Sequence, residues 1–157
     1  MSSPKRTEVL QNIVARHPEA AIVFSNGLTA REAAHVAHRP GNFYMLHGMG
    51  EALSVGIGLR LARPDVAVVV VEGDGNAAMG LSAWTMMPMD GLTYYVLDNG
   101  VYETTGAQDA PRLPAIPSWV HHVPIAPGSA GTPVPPPPER IAADFAAWMA
   151  TRPEEEE

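Results

Sequence analysis

Cysteine is absent from the 157 residues, which excludes disulfide frameworks and thiolate metal sites together. Charge is sparse as well: Asp, Glu, Lys and Arg make up 17% of the chain, below the ordinary share of about a quarter. The ten basic residues are scattered from Lys5 to Arg152 and form no stripe of the kind a phosphate backbone requires, so nucleic acid is not an expected partner. Nowhere do about 18 apolar residues run together, so no membrane-spanning helix is expected. The opening segment MSSPKRTEVLQ has no apolar core of a signal peptide, and the cytoplasm is the expected compartment.

What is present is a chain of one domain's length with 46% hydrophobic residues, enough to fill a core. The formal charge is −7, and Glu154 to Glu157 supply four of those charges, leaving the body near −3. Composition divides the chain near residue 107. Twelve of the 14 glycines lie between Gly27 and Gly106, whereas ten of the 16 prolines lie between Pro111 and Pro138. Residues 1–150 are therefore expected as a single domain carrying a proline-rich loop at 111–138, since such a stretch favours extended conformations and cannot continue a central strand. Residues 151–157 are expected as a disordered acidic tail.

The first hundred residues alternate in type. Val9, Leu10, Ile13 and Val14 recur at helical spacing within 5–17, and Ala21 to Ser25 form a short apolar run ended by Asn26-Gly27, which predicts a helix and then a strand. Thr29 stands three residues before Glu32, the capping-box spacing, and Pro40-Gly41 close that helix. A strand follows over Asn42 to Leu46 and a helix over 51–62. Val66 to Glu72 is β-branched and almost continuously apolar, the pattern of a central strand covered on both faces of a parallel sheet. Thr93 to Asp98 reads as the next strand, with a crossover helix within 77–87. The alternation predicts an α/β fold, a three-layer parallel sheet with helices on both faces. A last amphipathic helix is expected over Arg140 to Ala150, without an evident closing strand.

Ligands of parallel sheets bind at the carboxyl ends of strands, here after Glu72 and after Leu97. The first place reads Gly73-Asp74-Gly75-Asn76 and the second Asp98-Asn99-Gly100-Val101-Tyr102-Glu103. Both set oxygen ligands beside glycine-rich backbone able to approach a ligand closely. Gly73-x-Gly75-x-x-Ala78 also satisfies a dinucleotide fingerprint, with Asp98 placed as the ribose ligand. A nicotinamide-dependent oxidoreductase therefore stands as one alternative. Asp74 argues against it, because a carboxylate 4 Å from one pyrophosphate charge costs about 4 kcal/mol at an effective dielectric of 20. Mg²⁺ removes the objection, held by Asp74, the Asn99 amide oxygen and a backbone carbonyl.

The spacing of Gly73-Asp74-Gly75 to Asn99 resembles the diphosphate-binding motif of thiamine diphosphate enzymes. That resemblance implies a thiamine diphosphate-binding fold, Mg²⁺ on Asp74, Asn99 and the backbone of Val101, and diphosphate contacts from Gly73, Gly75 and Asn76 with Tyr102 beside them. The family's usual Asn-Asn pair is Asp98-Asn99 here. His47-Gly48-Met49-Gly50 is similar to the turn that faces the cofactor's pyrimidine ring in the family, with Met49 as the wedge that bends the cofactor and backbone groups of His47, Gly48 and Met49 along the ring edge. The phrases Ser25 to Glu32, Asn42 to Met45 and Asn99 to Gln108 resemble, in order, the phosphonopyruvate and sulfopyruvate decarboxylases, over about residues 5–110.

The resemblance implies a lyase that removes CO₂ from a small anionic 2-oxo acid and releases an aldehyde. Such enzymes place the active site between a pyrimidine-binding and a diphosphate-binding domain, and this chain has room for one. A pyrimidine-binding partner subunit in a hetero-oligomer, α2β2 or larger, is the expectation. Glu103, Thr105 and Gln108 follow the metal-binding turn as candidates to line the substrate pocket, and Arg112 is the candidate for an anionic tail. A carboligase of the acetolactate synthase type and a non-catalytic scaffold remain as further alternatives. His121 and His122, adjacent on an extended segment, point to opposite faces and are not expected to share a metal. The methionines Met86, Met87 and Met89 are expected to pack rather than to bind a ligand.

Overall fold

The computed structural model describes residues 2–129, 131 and 133–152. Of the tail expected as disordered over 151–157, Thr151 and Arg152 are placed, with Arg152 paired to Glu19, and residues 153–157 lie outside the described residues.

Five strands form one all-parallel sheet in the order β2-β1-β3-β4-β7. They are β1 (Ala21–Phe24), β2 (Asn42–Tyr44), β3 (Val68–Gly73), β4 (Leu92–Asp98) and β7 (Val120–Pro124). β3 is central, as its unbroken valine run predicts: Val68 to Val71 are all buried because both faces are covered. A separate antiparallel pair, β5 (Val101–Tyr102) with β6 (Gln108–Asp109), stands beyond β4.

Five α-helices cover the sheet: α1 (Arg6–Arg16), α2 (Leu28–Val36), α3 (Ala52–Ala62), α4 (Asp74–Met79) and α5 (Pro138–Ala150). One face packs Leu10, Ile13, Ala33 and Ile141 of α1, α2 and α5 against Ile22, Phe24, Val69 and Val71. The other packs Leu53 and Ile57 of α3 and Ala77 of α4 against Val23, Val68, Val70 and Val96. This is the three-layer arrangement expected from the alternation of elements.

The sequence reading needs three corrections. The proline-rich stretch is not all loop: β7 lies within it and closes the sheet beside β4, with Tyr94 opposite Val120 and Asp98 opposite Pro124. Prolines are tolerated there because β7 is an edge strand and its outward N–H positions need no partner. Second, α2 has no Thr29–Glu32 capping box. The helix opens at Leu28 after Gly27, whose φ of 84° no side chain caps, and Glu32 turns instead to Arg6. Third, the crossover segment starts earlier and is broken. α4 runs only from Asp74 to Met79, and a 3₁₀ helix covers Leu81–Met86, because Gly80 abuts the backbone of Gly50: a Cβ at Gly80 would lie 2.2 Å from the Gly50 carbonyl oxygen. Proline serves α5 as its first residue, where the missing N–H has no partner to lose.

Candidate cofactor site

The sheet order changes direction between β1 and β3: the chain steps outward from β1 to β2 on one side and from β3 through β4 to β7 on the other. Such a switch leaves a crevice at the strands' carboxyl ends. The residues that follow β1, β3 and β4 meet there. One cleft is lined by Asn26 and Thr29 from the first, Gly73 to Asn76 from the second, and Asn99, Val101 and Tyr102 from the third, with Met49 at its edge.

Asp74 is 5% exposed. Its Oδ2 accepts a hydrogen bond from the Gly100 N–H at 3.1 Å, and Asp98 Oδ1 accepts from the same N–H at 3.0 Å. Two carboxylates thus converge on one backbone donor. Burial, reinforced by the charge of Asp98, pushes the Asp74 carboxyl up to about 6. At Asp98, burial works in the same direction, but hydrogen bonds from His122 and Asp74 outweigh it and hold that carboxyl below the usual range. Asn99 Oδ1 accepts from the Val101 N–H at 3.1 Å, an Asx turn that fixes the side chain beside the cleft. Hard oxygens grouped around a buried carboxyl suit a small divalent cation.

The glycines make room. A Cβ at Gly75 would lie 2.3 Å from the Tyr102 ring, so the ring rests on bare backbone. Asn76 reaches across the cleft: its Oδ1 accepts from the Gly50 N–H at 3.0 Å, tying the strand-end turn to the turn that carries Met49. Gly48 and Gly50 adopt φ of 80° and 82°, a conformation that glycine enters without steric cost. Met49 between them stands 46% exposed, whereas exposed His47 lines a neighbouring cavity with Arg31.

Of the residues singled out for substrate, only Glu103 lines the cleft. Its carboxylate is paired with Arg6 and accepts the Gly128 N–H. Thr105 donates to Gln108 at 2.9 Å on the exposed β5–β6 hairpin. Arg112 lines an adjoining cavity with Asp74, Asp98 and Asp109. His121 stacks on Tyr95 while His122 pairs with Asp98, so the two rings serve different partners.

Sequence reasoning passed over Arg6, Asn26 and Thr29, which line the same cleft. For Asn26 a signal existed, an Asn-Gly pair at the end of a strand, and its Oδ1 is buried without a hydrogen-bond partner among the described residues. Arg6 gave none. It is 5% exposed and bridges Glu32, at 3.3 Å, to Glu103, partners 26 and 97 residues away.

The fold recurs in a solved structure, the 2-oxoglutarate:ferredoxin oxidoreductase from Magnetococcus marinus with 2-oxoglutarate, coenzyme A and succinyl-CoA bound. The TM-score is 0.54 at 20% identity, over 94% of this chain and 58% of that one. Among curated proteins, the chain is 38% identical to the phosphonopyruvate decarboxylase of Streptomyces hygroscopicus over 123 residues, covering 73% of this chain and 30% of that protein. It is also 38% identical to the sulfopyruvate decarboxylase subunit beta of Methanocaldococcus jannaschii over 109 residues, 67% of this chain and 57% of that subunit. The chain thus spans 30% to 57% of the length of these relatives. Residues 19–155 match the family described as thiamine pyrophosphate enzyme, C-terminal TPP binding domain. On that match, which takes in most of its length, the chain belongs to the thiamine pyrophosphate enzymes through this TPP-binding domain.

Proposed function

We propose that the chain is the diphosphate-binding unit of a thiamine diphosphate- and Mg²⁺-dependent decarboxylase acting on phosphonopyruvate or sulfopyruvate, and that it works with a partner subunit carrying the pyrimidine-binding domain. The observation that carries this reading is the meeting of Asp74, Asn99 and the Gly100-Val101 backbone at the ends of two adjacent strands. The names of the similar decarboxylases support the reaction class, and the subunit beta relative supports a divided enzyme.

The donor set fits the cofactor. Asp74, Asn99 and the Val101 carbonyl are the metal ligands in this reading. Gly73, Gly75 and Asn76 hold the diphosphate, and Asn26 lines the same cleft. Tyr102 closes one wall over Gly75. The turn from His47 to Gly50 takes the pyrimidine side, Gly48 and Gly50 setting the backbone so that Met49 projects toward the ligand. When bound, thiamine diphosphate supplies the electron sink for loss of CO₂. The protein's part is to hold that group, neutralise its charge through the metal and exclude water around the reacting carbon. A nicotinamide site is disfavoured by the paired carboxylates of Asp74 and Asp98, which repel a pyrophosphate unless a cation stands between them.

The test is calorimetric. The full chain, with any subunit that copurifies with it, is expected to take up thiamine diphosphate only with Mg²⁺ present, and Asp74→Ala is expected to abolish that uptake while the chain stays folded. Uptake that ignores both the metal and Asp74 would overturn the reading.

A further inference from the structure

We propose that Arg31 selects the anionic tail of the substrate, a phosphonate or sulfonate group; this rests on the function proposed above and identifies the side chain that reads the substrate's second charge. Three arginines border the region. Arg6 lines the cleft, but Glu32 and Glu103 flank its buried guanidinium, so it has no positive charge left to offer. Arg112 lines its cavity with Asp74, Asp98 and Asp109, three carboxylates whose field repels an anion. Arg31 differs from both. It lines a cavity with Leu28, Glu103 and Thr104, and those three residues also line the cleft of Asp74 and Asn99, so the two spaces share a wall.

Arg31 is exposed, and among the described residues its side chain makes no hydrogen bond or ion pair. Its position in α2 strengthens the argument. The Arg31 N–H closes the helix's first turn on the Gly27 carbonyl at 3.2 Å, and that turn has neither a side-chain cap nor an acidic residue. A cation there is disfavoured by the positive end of the helix dipole, and a docked anion relieves both charges. The carboxylate on this wall, Glu103, is engaged by Arg6 and by the Gly128 N–H. A guanidinium presents a planar fork of donors that matches the oxygens of a phosphonate or sulfonate.

The experiment uses the full chain with any copurifying subunit, loaded with thiamine diphosphate and Mg²⁺ so that the diphosphate positions are filled. Phosphonoacetate and sulfoacetate are then titrated as unreactive probes, with acetate as the control lacking the second charge. Arg31→Met is expected to weaken phosphonoacetate and sulfoacetate by about ten- to a hundredfold, the range for a charged hydrogen bond. Arg31→Lys is expected to restore part of the loss, with acetate binding and cofactor uptake unchanged. Wild-type affinity for phosphonoacetate in Arg31→Met, or no phosphonoacetate binding to the wild type, overturns the assignment while leaving the cofactor reading intact. Failure of the wild type to take up cofactor overturns both. Should Arg31→Met not fold, Arg31→Gln against Arg31→Lys makes the same comparison.

Discussion

His122 Nε2 lies 2.7 Å from Asp98 Oδ2, joining the edge strand β7 to β4 at the point where Asp98 and Asp74 share the Gly100 N–H. The histidine keeps Asp98 ionised, and the Asp98 charge in turn raises Asp74, after burial has done the larger part. Asp98→Asn is therefore expected to lower the Asp74 pKa from about 6 in the metal-free chain, though burial holds it above the ordinary value. Carboxyl titration by NMR measures this. An unchanged midpoint would assign the whole shift to burial.

Glu72 is 1% exposed; the Tyr94 hydroxyl donates to its Oε2 at 2.6 Å, and its Oε1 has no partner among the described residues. Burial raises its pKa from 4.5 to about 7. A carboxyl raised on folding favours the folded state fully below about 4.5, and the contribution is lost as pH rises through about 7. Between pH 4.5 and 8, urea melts should shift the balance toward Glu72→Gln over wild type by on the order of 3 kcal/mol, at 1.36 kcal/mol per pKa unit. Parallel stability curves for the two proteins would show that folding leaves the Glu72 pKa at its ordinary value.

Arg6, Glu32 and Glu103 bring α1, α2 and the turn after β5 onto one buried guanidinium. Removing the cation strands two carboxylates, one of them, Glu32, 2% exposed. Arg6→Met is expected to cost about 3–5 kcal/mol of stability, the range for breaking one side of a buried ion pair. Arg6→Met combined with Glu32→Gln should recover a good part of it. Chemical denaturation compares the three proteins, and additive losses would deny the coupling.

Two glycines should respond in opposite directions to alanine. At Gly80 the new Cβ would stand 2.2 Å from the Gly50 carbonyl oxygen, so the Met49 turn must shift, at about 1–3 kcal/mol and with weaker cofactor uptake. At Gly58, within α3, nothing lies within 4 Å, and alanine should stabilise the helix by about 0.5–1 kcal/mol. Thermal melts of both variants, with cofactor titration of Gly80→Ala, decide the pair.

Much of the fold was legible because its signals are local. The valine run of β3, the helical spacing of α1 and the glycine-aspartate turns each sit within a few neighbouring residues, so Asp74 and Asn99 could be set at the ends of adjacent strands from order alone. β7 escaped notice because a short edge strand with a proline at its end has neither the apolar run nor the length of a central one. Arg6 escaped because its worth lies in partners far along the chain, and a Lys-Arg pair near the start reads as a solvated surface.

By itself the sequence determined the alternation of elements, the central place of β3 and the oxygen-rich turns, since each follows from periodicity, residue volume and backbone freedom over short spans. The tertiary structure alone decided which charges are compensated. Arg6 is neutralised, Arg112 shares a cavity with carboxylates, Arg31 has no side-chain partner among the described residues, and His122 supports Asp98. Charge compensation depends on distances across the sheet and between loops, and those exist only once the strands have taken their order and the helices have closed on them.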